Sequence, residues 1–515
     1  MDIKINWDKL FKYATFGFAL ISLLILVHNV FANKFEDSYD YFAHLEVLEY
    51  YSKPFNINLV TPDNFRFSYN APLYYIIIGK IHFLAEYLLK VDFNPFLTAR
   101  ILHLIGFLTV WYLVVFRLLK KLGLSNLNKL IFTLLFFIIP NQYLGLLMVR
   151  ADHLAFISLG LLIYFWFYYD FLRQIHHSTW RKIVWGLLLI GIGNSRHLLL
   201  PICLLFLSLG SWKILFPLSR LKIKKTILNS IFILIVITLA FNFYIIRIIS
   251  TGSPTSYATS DMYVKKYEIY ETYRPLSYKL EMLFNFEFDR MFTLPNRQTI
   301  YGGFTNFNPE SIDKLLYEEK IYPVIVSKGL DLDTYILQDG NYILNKDKDQ
   351  ITKAYGYAAV YSVINYNNAY FPRLINDMWG DHWLYFSGPR SVDNEVKEKQ
   401  VVLLVTIPLT LIYFGSGIWI LIKSIRKKDW KSFIDIQNLL IILFLVSFTT
   451  LTIYSSFIFT EAGKNSIVKF IYLGAFFYLP FLSLSIYLKN KVKTSVLLLI
   501  YFIIVYIISI PLYIY

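Results

Sequence analysis

PLYYIIIGKIHFLAEYLLKV, residues 72–91, decides how this chain threads. It is long enough to cross the hydrocarbon core of a bilayer, which takes about 20 apolar residues. Lys80, His82 and Glu86 interrupt it near its middle, and ionisable side chains at that depth are costly. A helix lying in the interface suits the pattern better. If 72–91 does not span, residues 96–118 run inward and place Arg117, Lys120 and Lys121 in the cytoplasm. The basic clusters that follow 153–172 (Arg173, Arg181, Lys182) and 198–216 (Lys213, Arg220, Lys222, Lys224, Lys225) then fall on the same side. So do those after 401–422 (Lys423, Arg426, Lys427, Lys428, Lys431) and after 467–488 (Lys489, Lys491, Lys493). That is the positive-inside distribution, and letting 72–91 span puts all of these clusters outside. Counted this way the chain has about eleven spans, with a cytoplasmic N-terminus and an outer C-terminus. The count is open at the short pair 183–195 and 198–212.

Composition points the same way. Of 515 residues 56% are hydrophobic, the mean hydropathy is +0.49, and 45 Phe stand beside 41 Tyr. A soluble domain of this size does not carry so much apolar surface, so the expected class is an all-α polytopic membrane protein. The formal charge of +15 sits in short clusters between apolar runs, which argues for membrane topology and against nucleic acid as a partner. The lone Cys203 lies in an apolar run, which excludes a disulfide framework and a Cys-based metal site. The first apolar run leads straight into an acidic segment with no small-residue cleavage site, so it reads as an anchor in the plasma (inner) membrane. Three parts are expected: a transmembrane module over 1–250 with a first outer loop at 34–95, a mixed extracytoplasmic segment over 251–398, and transmembrane helices over 399–515.

The residues that carry chemistry gather on the outer face. FEDSYDYFAHLEVLEYY, residues 35–51, follows the first span and holds Glu36, Asp37, Asp40 and His44. If it is helical from Ser38, Asp40 and His44 stand one turn apart on one face, with Ser38 or Asp37 as N-cap. A carboxylate beside an imidazole can take a proton from a hydroxyl. A solvated helix start is the plainer reading of the same residues. Other outer turns hold Arg150 and Asp152, and Arg196 and His197. A late one holds Lys464 and Lys469. Cations on that side run against the usual bias and ask for an anion, although each alone also fits snorkelling. Trp379-Gly380-Asp381-His382-Trp383 brackets polar groups with aromatic faces that suit a sugar ring, or a packed corner. His176 and His177 read as a solvated loop and His103 as a core histidine. No motif calls for a cofactor, and the acidic first loop leaves room for a divalent cation. A base and cations at headgroup depth suit transfer from a lipid-phosphate donor to a hydroxyl. The phosphate leaving group needs positive charge and the acceptor needs one base. Nucleotide sugars stay in the cytoplasm, so a transferase acting outside needs a lipid-carried donor.

The order of these features resembles the polytopic GT-C glycosyltransferases. The nearest likeness is to the family 39 or RgtA/B/C/D-like group, related to protein O-mannosyltransferases and aminoarabinose transferases. Asp40-Tyr41-Phe42-Ala43-His44 is similar to the family's Asp-Glu-x-x-His, with Tyr41 for the Glu. Ala71-Pro72-Leu73-Tyr74-Tyr75, the span from Arg100 to Leu122-Gly123, and Asp152 look like family features. So do Trp379 to Phe386 and the pair Lys469 and Tyr472. Residues 251–375 carry no family signal. The resemblance implies a GT-C-like bundle with interfacial helices in its first outer loop. It also implies an inverting transfer from a polyprenyl-phosphate sugar to a lipid, glycan or protein acceptor, with Asp40 as base. His44 and Asp37 stand beside that base. Arg150, Asp152, Arg196, His197, Trp379, Asp381, His382, Lys469 and Tyr472 then face substrate.

Two other classes are weighed against this. A transporter or flippase of lipid-linked glycans should show an inverted repeat and mid-membrane charges, and neither is visible. A receptor-like protein whose outer segment binds a partner is kept open by residues 251–375.

Overall fold

The computed structural model describes residues 6–33, 35, 41–57, 71–171, 178–195, 199–215, 223–251, 335–338, 341–344, 378–379, 392–426, 436–453 and 474–514. The order is α1 (Trp7–Ala32), α2 (Tyr41–Ser52), α3 (Leu73–Leu89), α4 (Pro95–Lys121), α5 (Asn126–Phe137), α6 (Pro140–Leu147), α7 (Asp152–Tyr168), α8 (Thr179–Gly193), α9 (Leu200–Leu215) and α10 (Ile223–Thr251). A short hairpin follows, β1 (Tyr335–Gln338) antiparallel to β2 (Asn341–Leu344), with Tyr335 opposite Leu344. Then come α11 (Val392–Arg426), α12 (Ile436–Ile453), α13 (Leu479–Tyr487) and α14 (Val492–Ser509). Among the described residues everything regular apart from that hairpin is helical, and the helices are membrane-like. Four described segments, Trp7–Ala32, Pro95–Lys121, Lys225–Ile246 and Val492–Leu512, are long and apolar enough to cross a bilayer. Large apolar side chains also point away from the bundle, among them Leu24 on α1, Leu234 on α10 and Leu497 on α14. In a lipid environment that arrangement is no liability, because the solvent is itself apolar.

Local chemistry sets the helix ends. Asn6 caps α1 by accepting from the Lys9 N–H at 3.1 Å, and Asn94 caps α4 from the Phe96 N–H at 2.9 Å, with Pro95 at the first helical position. Ser125 caps α5 through the Asn128 N–H. The apolar run 127–148, long enough by itself for one span, is two helices. Pro140 has no N–H to donate and its ring crowds the carbonyl one turn back, so the chain breaks at Ile138–Ile139. Two carbonyls lose their helical partners there and find new ones. Tyr143 donates its hydroxyl to Phe137 O at 3.0 Å, and Tyr513 donates to Ile138 O at 2.9 Å. The run expected at 467–488 is likewise shorter where described, with α13 starting only at Leu479 after a turn at 474–478.

The C-terminal helix locks the first one. Ser22 meets the Tyr506 hydroxyl at 2.6 Å, and Asn29 donates to Tyr513 O at 2.6 Å. α8 and α10 touch backbone to backbone at Gly193, where a Cβ would stand 2.5 Å from Ala240 O. The bundle has two distinct ends. At one, the start of α5 reaches the start of α1 (Asn126 Nδ2 to Asp8 Oδ2, 2.8 Å), and Lys489 reaches Leu122 O at 2.7 Å. At the other, Arg100 near the start of α4 donates to Asn33 O, just past the end of α1, at 2.8 Å. The segment between α1 and α4 therefore leaves and returns at one end, and α3 does not carry the chain to the opposite end.

Candidate functional site

α3 shapes the loop end. Its inner face buries Tyr74, Tyr75, Ile78, Gly79 and His82. At Gly79 an added Cβ would lie 2.7 Å from the Tyr51 backbone, so only glycine lets α2 lie this close. The Lys80 ammonium donates to the Lys53 and Pro54 carbonyls just past α2. α3 runs back along the first turns of α4, with Tyr74 against His103 and His82 against Thr98.

His44 of α2 is buried, its Nδ1 2.8 Å from the Tyr75 hydroxyl. Next to it the Tyr74 hydroxyl lies 2.7 Å from His103 Nε2. The tautomer of His103 follows from its other contact. Nδ1 faces Leu146 O at 3.1 Å, a carbonyl can only accept, so Nδ1 carries the proton and Nε2 accepts from Tyr74. Burial, helped by Tyr75 and the Asp152 carboxylate, holds the Tyr74 hydroxyl well above its ordinary pKa, as a donor requires. His153 stacks on His103 with ring centroids 3.7 Å apart and points Nε2 at Gly145 O, 2.7 Å away. Asp152 opens α7 at 8% exposure, where the helix N-terminus favours negative charge. Its Oδ2 meets Arg150 Nε at 3.2 Å.

Farther along α3, His82 accepts from Thr98 at 3.0 Å and faces Glu86 at 3.1 Å. Burial lowers the His82 pKa against the opposing pull of Glu86, so at neutral pH that contact is a hydrogen bond from a neutral ring.

The fold brings three of the expected site residues to one place: His44, Arg150 and Asp152. Trp379 sits elsewhere. Its ring is fully enclosed in the main core and its indole N–H donates to Thr410 Oγ1 at 2.7 Å, so it is a packed corner and offers no open ring face. Asp37, Asp40, Arg196, His197, Asp381, His382, Lys469 and Tyr472 lie outside the described residues. The acidic loop considered for a divalent cation lies there too. Among the described residues no three His, Cys, Asp or Glu side chains gather as a metal site would need.

Reading the sequence undervalued Tyr74, Tyr75, His103 and His153. His103 looked like a core histidine, and it is one, but its core is the floor of this site. The available signal was spacing: Arg100 and His103 share a face of α4 at i, i+3. Compared with known proteins, the chain matches no family model, no curated protein and no solved structure.

Proposed function

We propose that the chain is a membrane glycosyltransferase of GT-C type. It moves a sugar from a polyprenyl-phosphate donor to a hydroxyl on a lipid, glycan or protein at the outer face. The observation that carries this reading is the junction of the first loop with the α6–α7 turn. His44 and Tyr75, Tyr74 and His103, and the Arg150–Asp152 pair converge at one end of the bundle. The Arg150 guanidinium can donate to a phosphate oxygen, and the Asp152 carboxylate beside it can accept from a hydroxyl. The base in this reading is Asp40, with Asp37 nearby in sequence, while Arg196 and Lys469 add positive charge to the leaving phosphate. About eleven spans place the N-terminus inside and this junction outside.

The distribution of exposed tryptophan supports that orientation. Trp7, Trp180, Trp212 and Trp419 are all exposed. Each lies within a turn of Lys or Arg on helix ends read as cytoplasmic. Aromatic rings beside cations at one rim mark a headgroup boundary. On the outer side α3 turns Ile77, Ile81, Leu84 and Leu88 outward, an apolar stripe at helical spacing that suits an interfacial helix.

Purified protein incubated with labelled polyprenyl-phosphate sugars and a mixed acceptor pool tests the reading. Release of polyprenyl phosphate coupled to label on a hydroxyl acceptor is expected. Movement of intact labelled lipid between leaflets without release would replace the transferase by a flippase.

A further inference from the structure

We propose that Arg100 is a positioning residue. Its guanidinium fixes the end of α1, and with it the start of the acidic loop, against the turn that carries Arg150 and Asp152. The proposal rests on the transferase reading for its kinetic part and on geometry alone for the rest.

Arg100 is fully enclosed. Its Nε donates to Leu147 O at 3.1 Å, and its Nη1 donates to Asn33 O at 2.8 Å and Val30 O at 3.4 Å. Its Cζ lies over the Phe35 ring, 4.7 Å from the centroid. Those carbonyls close two helices: Val30 and Asn33 end α1, and Leu147 ends α6. Carbonyls in a last helical turn have no intrahelical donor, and each helix brings partial negative charge to that end. One cation therefore neutralises two helix C-termini at once. One turn on, His103 serves the neighbouring Leu146 O from the same face of α4. α4 thus reads the last two residues of α6 with two side chains and α1 with one.

The consequence is register. Phe35 is followed in sequence by Asp37 and Asp40, and Leu147 by Arg150 and Asp152. The guanidinium sits between the two origins. A planar fork with five N–H donors can hold carbonyls in different directions, whereas a lysine presents three donors from one point. Lysine keeps the charge and loses the simultaneous grip.

The test compares wild type, Arg100→Lys and Arg100→Gln in the full chain, in nanodiscs. Cys203 is buried, so spin labels can be placed selectively at Ala32→Cys and Asp92→Cys, both exposed. The expected result is one narrow distance distribution for wild type and broadened ones for both variants. With a polyprenyl-phosphate sugar, Arg100→Lys should lose turnover on the order of 10²-fold, the effect of a misplacement near 1 Å, at an unchanged donor KM. Unchanged distances together with unchanged turnover would overturn the proposal. So would loss of turnover that tracks loss of folded protein or a rise in donor KM. If Arg100→Gln fails to insert, Arg100→Lys alone decides by the same criteria. If wild type transfers no sugar, the transferase reading fails, and the distance distributions still decide whether Arg100 sets the register.

Discussion

The two ends of the bundle use positive charge in opposite ways. At the loop end, Arg100 is withdrawn from water and divides its donors among carbonyls of two helices. At the other end, Lys489 and Lys121 also donate to carbonyls, Leu122 and Tyr168, but both lysines are exposed. The chemistry of each bond is alike and the consequence is not. An exposed ammonium exchanges its carbonyl for water at little cost. A buried guanidinium has no such alternative, so its geometry is enforced. The same contrast covers the aromatic residues: Trp7 and Trp180 are exposed at the basic rim, whereas Tyr74 and Tyr75 are locked into hydrogen bonds at the loop end. A rigidly held end and a lightly held one fit the transferase proposed above, whose site lies at the loop end.

The strongest test of that contrast is catalytic. Asp40→Asn should abolish most transfer, by roughly 10²–10⁴-fold, while insertion and donor binding persist. Asp37→Asn should do much less. Both are measured by release of polyprenyl phosphate at equal membrane abundance, and the reverse order would move the base to Asp37. Next in size, Tyr74→Phe removes the donor to buried His103. Its cost should be about 1–3 kcal/mol, seen as a lower Tm in detergent. An unchanged Tm would mean the loop end is as loosely held as the basic one.

A smaller effect comes from pH. His82 is surrounded by Thr98 and Phe93, with Glu86 and Asp92 as its charged neighbours, and burial lowers its pKa below the ordinary 6.5. The unfolded ring therefore takes a proton before the native one does. The stability His82 contributes is complete above about 6.5 and is lost as pH falls from there through the lowered native value. Protection of the α3 amides, corrected for the intrinsic exchange rate at each pH, should fall between pH 7.5 and 5.5 (about two units of pH change, spanning the window), and His82→Gln should flatten that dependence. The smallest effect belongs to Lys489→Gln, a surface change expected to stay within about 0.5 kcal/mol in Tm measurements. A large loss there would erase the difference between the ends.

Much of the fold was legible in advance, and the reasons are local. The apolar character of the helices and the interruption of 72–91 by Lys80, His82 and Glu86 are properties of neighbouring residues; the Asn6, Asn94 and Ser125 caps are equally local but were not singled out. Of the site, Arg150 and Asp152 were legible because their turn is short and polar. His44 was legible too, but as an exposed partner for a carboxylate, and it is buried against Tyr75. Trp379 misled because a Trp beside acids looks the same whether the ring opens to a ligand or closes into a core.

By itself, then, the sequence determined that this chain is helical and made for a membrane, because hydrophobic length and helix capping act within a few turns. Only the tertiary structure decided where freed backbone groups and buried cations find partners. The break at Pro140 is legible, but Tyr513, 375 residues away, is what satisfies Ile138 O. Arg100 is legible as an arginine at a span's start, but its carbonyls lie 67, 70 and 47 residues away in two other helices. In a bilayer each carbonyl must be satisfied within the protein, and which distant side chain does so depends on how the helices pack.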